Sequence, residues 1–189
     1  MPTTTETTEQ DKFSSRITFA RGDGRTQFRG RLVSAGRIRN ALDKPGQITI
    51  PAATLEAAVE MNQFNRLAAF VDHAGWFEGP SLRNLFGVWT DIEYNPESKS
   101  VDGILNCYDN DSNAPLIDTL NQMLDEDEPP DLGVSIVFYG TWETKDQGTE
   151  PRKLLGFQKV ESADIVFMPA ADGRILEALS ALTEPCTCF

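Results

Sequence analysis

One histidine and one serine within a strand-like run are the residues of this chain best suited to nucleophilic chemistry. His73 is the single histidine among 189 residues and follows an apolar run in the motif FVDHAG. Ser135 lies in GVSIVF, the most strand-like stretch of the sequence. A serine hydroxyl is a weak nucleophile near pH 7 and needs a neighbouring base, for which imidazole has a suitable pKa. The two residues are therefore candidates for a serine nucleophile and its general base.

Such a pair needs a third group that fixes the tautomer of the imidazole and stabilises the imidazolium. Two acids in the motif VESADIVFMPA, Glu161 and Asp164, are candidates for this role. Asp164 is flanked by Ala163 and Ile165 in a strand that we expect to be buried, where an unpaired carboxylate would be costly. The residues therefore predict a partner for Asp164, without identifying that partner as His73.

The sequence gives less support to a cysteine nucleophile or a metal site than to the serine and histidine pair. Three cysteines make no disulfide framework. Cys107 could form a thiol dyad with His73, but its apolar strand is more typical of a core residue. Cys186 and Cys188 form a C-x-C pair that could bind metal or oxidise. The calcium-loop-like stretch 109–120 lacks the required glycine and closing acid, and one histidine is too few for a typical zinc enzyme. We expect no metal and no cofactor.

Charge excludes further classes of function. The chain has 29 acidic and 17 basic residues, a net charge of -12, which disfavours binding to nucleic acid and to anionic lipid. No apolar run approaches the length of about 18 residues that would span a membrane, and the polar, acidic start does not predict a signal peptide. Seven arginines fall within 13–40. They fit either solvated strands or a contact surface for an acidic partner.

The length predicts one domain over 13–182, between a disordered N-terminal tail, 1–12, and a C-terminal tail, 183–189. Alternating and apolar runs predict strands at 47–51, 68–71, 86–94, 101–108, 132–142 and 153–168, the last as one long or two short strands. A hairpin joins the third and fourth of these runs. Helical spacing predicts helices at 55–64, 112–127 and 174–182. Because strands and helices do not alternate regularly, we expect an α+β fold with a mostly antiparallel, barrel-like β-core and two to three packed helices.

The order of these motifs resembles a known family. FVDHAG, GVWTDIEYNPESKSVDGIL, a helix, PDLGVSIVF and VESADIVFMPA succeed one another as in the prohead (capsid) maturation proteases of tailed bacteriophages, which are related in fold to the herpesvirus assembly proteases. The resemblance extends over about 48–182 and implies a herpesvirus-protease-like fold.

The resemblance also implies roles for individual residues. It places the histidine at His73 and the nucleophile at Ser135, and it places the third member at Ser162, where this chain departs from the family pattern. Residues two apart on a strand share a face, so we expect Asp164 to supply the third group, with Glu161 as the alternative. An arginine after that strand, which would contribute to oxyanion stabilisation, corresponds to Arg174.

The activity implied by the resemblance is that of a serine endopeptidase. Its substrates would be the phage scaffold protein and extensions of the major capsid protein, cleaved within the assembling prohead in the host cytoplasm. Self-cleavage of the tails and a homo-oligomer are further expectations. A different class of function remains as the alternative, because a non-catalytic capsid assembly or scaffold protein could retain the protease fold.

Overall fold

A computed structural model describes residues 26–38, 48–72, 81–143, 152–167, 169, 171 and 173–179. Within them the chain is α+β, with nine strands and two helices. The strands are β1 (Gln27–Ser34), β2 (Gly36–Ile38), β3 (Ile48–Ile50), β4 (Leu67–Phe70), β5 (Leu85–Asn95), β6 (Ser100–Cys107), β7 (Leu132–Trp142), β8 (Arg152–Phe167) and β9 (Arg174–Leu179). The helices are α1 (Ala52–Glu60) and α2 (Ala114–Leu124). The predicted tails, 1–12 and 183–189, lie outside the described residues.

All nine strands belong to one curled, half-barrel sheet. Its strand order is β2-β3-β8-β4-β5-β6-β1-β9, and β7 pairs with β8 outside this path. Most pairs are antiparallel, whereas β8 pairs in parallel with β3 and β4. The predicted hairpin is confirmed, because β5 and β6 pair antiparallel from Gly87 with Cys107 to Asn95 with Ser100.

The core fills the inner face of the curled sheet. Trp89 of β5 is fully buried there, and its indole N–H donates a hydrogen bond of 2.8 Å to the carbonyl oxygen of Ala163 in β8. Gly30 of β1 leaves room for this indole, because a Cβ at that position would overlap the ring. The largest of the other fully buried side chains are Phe28, Phe64, Phe86, Leu32, Ile50, Leu55, Leu105 and Leu120.

The predicted closing helix over 174–182 is wrong. Residues Arg174–Leu179 form strand β9, which pairs antiparallel with β1 from Arg31 with Arg174 to Gln27 with Leu179. Leucines and isoleucine at 175, 176 and 179 suit either a helix or a strand. Strand β1 already pairs with β6 on one side, so β9 satisfies the backbone groups on its other side. The described part of the chain thus has two helices, the lower number expected.

Candidate active site

The register of β7 and β8 places Ser135 directly opposite Asp164. The adjacent pair, Val134 and Ile165, belongs to the buried core. Because successive side chains of a strand point to opposite faces, Ser135 and Asp164 share the outer face of the sheet. Ser135 is half-buried, and Asp164 is only 2% exposed. Two groups named from the sequence alone are therefore neighbours across two strands.

A third strand contributes to the same place. The backbone N–H of Phe70, at the end of β4, donates a hydrogen bond of 3.3 Å to Oδ1 of Asp164. Strand β4 lies on the opposite side of β8 from β7, with Ala68 paired to Ser162. The carboxylate of Asp164 is thus held between the strand that carries the serine and the strand that leads to His73. An amide donor of this kind offsets part of the cost of burying a carboxylate.

The chain approaches position 73 beside β8. Val71 pairs with Ile165, and the backbone N–H of Asp72 donates a hydrogen bond of 2.9 Å to the carbonyl oxygen of Ile165. Asp72 has a φ of 60°, a left-handed conformation in which the chain turns out of the strand direction. His73 itself lies outside the described residues. The residue immediately before it is therefore hydrogen-bonded to the residue immediately after Asp164.

The alternative third member, Glu161, is placed differently. It is exposed and forms an ion pair of 2.9 Å with Lys159, two residues earlier on the same strand. This hydrogen bond and the charge of Glu161 raise the pKa of Lys159. The register of β7 and β8 shifts between Val137, which pairs with Ser162, and Phe138, which pairs with Val160. Glu161 therefore lies in a bulge and has no register partner in β7. Its carboxylate is held at the surface, which favours Asp164 over Glu161 as the third member.

Ser162, the position to which the resemblance assigns the third member, is buried and lies on the same outer face as Asp164. It pairs with Val137 of β7 and with Ala68 of β4. Ser162 cannot carry the negative charge that a third member supplies. Asp164 is the next residue of β8 on this face. The acid of this chain therefore lies two residues beyond Ser162, the position that the resemblance assigns to the third member.

Arg174, the candidate oxyanion residue, lies at the start of β9 rather than in the first turn of a helix. Burial and the neighbouring charge of Arg31 lower its pKa, while Asp131 acts in the opposite direction. Gly173, directly before it, approaches Gly133 and Val134 so closely that a Cβ on either glycine would collide with the opposing backbone. The start of β9 therefore lies against β7, one or two residues from Ser135.

The burial of Cys107 and its place in the sheet argue against a thiol dyad with His73. Burial raises the pKa of the Cys107 thiol to about 12, which disfavours the thiolate that such a dyad needs. Cys107 belongs to β6, which is separated from β8 by β5 and β4. Cys186 and Cys188 lie outside the described residues.

Two surface depressions lie away from Ser135 and Asp164. One, of about 260 Å³, is lined by residues of the turn after α1 and of the middle of β5, including Arg66 and Asp91. The other, of about 330 Å³, lies between Leu82 and the turn that precedes α2. Among the described residues no group of three or more His, Cys, Asp or Glu side chains could hold a metal ion.

The candidate residues named from the sequence do not include two that the structure connects with this site. Phe70 supplies the backbone amide that holds Asp164, and Arg31 lies opposite Arg174. The hydrogen bond from Phe70 joins residues 94 apart in sequence, so no local pattern could have indicated it.

Comparison with known proteins adds no relative. The chain matches no protein-family model, no curated protein and no solved structure. Within the part of the chain that the structure describes, neither helix has the length and apolar character needed to cross a membrane.

Proposed function

We propose that this protein is a serine endopeptidase in which Ser135 is the nucleophile, His73 the general base and Asp164 the group that orients His73. The observation that carries the proposal is the outer-face pairing of Ser135 with a carboxylate that is 2% exposed. The hydrogen bond from Asp72 to Ile165 supports the place of His73, since it brings the preceding residue to the same part of β8.

The proposed reaction follows from these roles. Oγ of Ser135 attacks the scissile carbonyl carbon while its proton passes to the imidazole of His73. The imidazolium then protonates the leaving amine, the C–N bond breaks, and an acyl-enzyme remains on Ser135. Water hydrolyses this ester with His73 again as base. Asp164 stabilises the imidazolium throughout, and Arg174 stabilises the oxyanion of the tetrahedral intermediate.

The proposed substrates are the scaffold protein and the capsid-protein extensions of a phage prohead, and the proposed place of action is the assembling particle in the host cytoplasm. This part of the proposal rests on the order of the sequence motifs. The net charge of -12 is compatible with it, because it disfavours binding to the DNA that later fills the particle.

One observation favours the second candidate, a non-catalytic assembly protein that retains the fold. Oδ1 of Asp164 accepts a hydrogen bond from the backbone of Phe70, so the carboxylate also joins β4 to β8. A buried acid with such a structural contact could persist in a chain without catalytic activity. The two candidates differ in whether Ser135 is reactive.

A fluorophosphonate probe tests the proposal, because it phosphonylates only an activated serine. We expect stoichiometric labelling of the full chain, located at Ser135 by peptide mass spectrometry, and no labelling of the Ser135→Ala variant. Ser112→Ala, which removes an exposed hydroxyl from the turn before α2, is the control and should label as the unmodified protein does. An unlabelled unmodified protein, or equal labelling of Ser135→Ala, would exclude the protease and favour the assembly protein.

A further inference from the structure

A row of charged residues crosses β6, β1 and β9, the last three strands in the order of the sheet. Arg31 of β1 pairs with Asp102 of β6 on one side and with Arg174 of β9 on the other. Directly paired residues of antiparallel strands have side chains on the same face. The neighbouring Gly30 and Leu32 face the core, so the row Asp102–Arg31–Arg174 lies on the outer face, as Ser135 does.

The carboxylate of Asp102 is a fixed anion at one end of this row. Its side chain is buried and accepts hydrogen bonds from the hydroxyl of Ser100 at 2.7 Å and from the amide of Asn95 at 3.2 Å. Nε of Arg31 donates to the same carboxylate at 3.4 Å. With both of its oxygens engaged by neighbouring strands, Asp102 has little freedom to move, and it therefore fixes the guanidinium of Arg31.

Arg31 in turn constrains Arg174. Burial lowers the pKa of Arg174, and so does the repulsion between its guanidinium and that of the directly paired Arg31. The charge of Asp131, next to the start of β7, acts to raise the pKa of Arg174 and so offsets part of this lowering. Arg174 therefore has a cation beside it in β1 and an anion near it at the start of β7. The close approach of Gly173 to Val134 brings the backbone of Arg174 to the same strand.

We propose that Arg31, anchored by Asp102, is a positioning residue that directs the guanidinium of Arg174 toward the carbonyl oxygen attacked by Ser135. This inference rests on the proposed protease function. Arg31 touches no substrate in this scheme and acts only through Arg174. Its removal lowers the rate of the chemical step, because Arg174 is left without the neighbour that orients it.

The rate of phosphonylation tests this inference without a known peptide substrate. In that reaction Oγ of Ser135 forms a bond to phosphorus, the P–F bond breaks, fluoride leaves, and the serine proton passes to the base. Negative charge grows on the phosphoryl oxygen, which takes the place of the oxyanion. We expect Arg174→Gln to lower the maximal rate constant roughly 100-fold and Arg31→Gln to lower it about 10-fold.

Two matched variants separate positioning from general damage to the fold. Arg31→Lys keeps the charge and should restore the rate constant to within about threefold of the original. Arg29→Gln removes an arginine two residues away on the same face of β1, where the register partners are Ile104 in β6 and Glu177 in β9 rather than Asp102 and Arg174, and should change neither rate nor affinity. The half-saturating probe concentration should stay constant in all of these variants.

Nitrogen-15 NMR of the arginine Nε–H groups gives a readout independent of labelling. Arg31→Gln should shift the Arg174 resonance and speed its hydrogen exchange, whereas Arg29→Gln should not. If the unmodified protein is labelled but Arg31→Gln matches Arg29→Gln in rate or in the Arg174 resonance, this inference is wrong and the protease stands. If the unmodified protein is not labelled at Ser135, the protease fails, and the positioning role fails with it.

Discussion

Two buried carboxylates on the outer face of the same sheet have different surroundings. Asp102 is 6% exposed, and the side chains of Ser100, Asn95 and Arg31 donate hydrogen bonds to it. Asp164 is 2% exposed; it accepts a hydrogen bond from the backbone of Phe70 and lies opposite a serine. Three side chains, one of them a cation, donate to the first carboxylate, and a main-chain amide beside a nucleophile candidate donates to the second.

The two carboxylates also differ in how far apart in sequence their surrounding strands lie. Two of the Asp102 donors, Ser100 and Asn95, belong to the β5–β6 hairpin, and the third belongs to the adjacent strand. Asp164 is assembled from β4, β7 and β8, which are far apart in sequence. We therefore expect a structural role for the carboxylate of Asp102 within the hairpin, whereas that of Asp164 is the one to which the proposed reaction gives the orienting role.

The largest expected effect comes from neutralising Asp164. Asp164→Asn keeps the shape of the side chain but removes the charge that orients and stabilises an imidazolium. We expect the rate of fluorophosphonate labelling at Ser135 to fall by about 10⁴-fold, the order found when the acid of a serine protease triad becomes an amide. The labelling rate constant, measured by intact-mass spectrometry, checks this.

Glu161→Gln is the competing test of the third member. Its carboxylate pairs with Lys159 at the surface, so we expect a labelling rate within about twofold of the original protein and a change in stability below about 0.5 kcal/mol. A large loss of labelling with Glu161→Gln and a small one with Asp164→Asn would reverse the assignment and remove the contrast with Asp102.

Truncation of Asp102 should reduce stability. Asp102→Ala removes the buried carboxylate that accepts hydrogen bonds from Nε of Arg31 and from the hydroxyl of Ser100. We expect a loss of about 2–3 kcal/mol in the free energy of unfolding, measured by urea denaturation, since both groups are mostly buried. A variant as stable as the original would show that the hairpin does not depend on this network.

A further expected effect is an alkaline pH dependence of stability from Cys107, in the same hairpin. Its pKa in the folded protein is about 12, against an ordinary 9.0. Above pH 9 the unfolded chain releases the thiol proton while the folded chain keeps it, so the unfolded state binds fewer protons. The free energy of unfolding should therefore fall as pH rises from 9 toward 12, by at most about 1.4 kcal/mol per pH unit.

Urea denaturation between pH 8 and 10.5 measures this slope. Cys107→Ala should lose stability less steeply over that range, and the difference between the two curves isolates the thiol. Identical slopes would contradict a buried, proton-retaining Cys107.

Local patterns predicted most of the strands because alternation and turn residues act within a few positions. The predicted strand at 132–142 is confirmed by β7, and that at 153–168 corresponds to β8 within one residue at each end. The predicted helix at 112–127 is shorter in the structure, Ala114–Leu124, and that at 55–64 is displaced to Ala52–Glu60. Apolar positions establish that such elements exist, but their ends depend on contacts made elsewhere.

The candidate site was predictable only in part. Residue types singled out Ser135, Asp164 and His73, but residue types contain no information on register. The pairing of β7 with β8 decided that Asp164 faces Ser135, and the bulge beside Glu161 removed the other acid from that face. His73 lies outside the described residues, so its role stays a prediction.

Residue types establish which groups are available for chemistry in this protein: one imidazole, one serine in a strand-like run, two nearby acids and a charge that disfavours nucleic acid. Tertiary structure alone decided that residues 174–179 form a strand, that Asp164 is buried opposite Ser135, and that Arg31 lies beside Arg174. The physical reason is that hydrogen-bonded register joins residues far apart in the chain. Local propensity does not specify this register, because the same spacing of apolar residues is compatible with pairing to more than one strand.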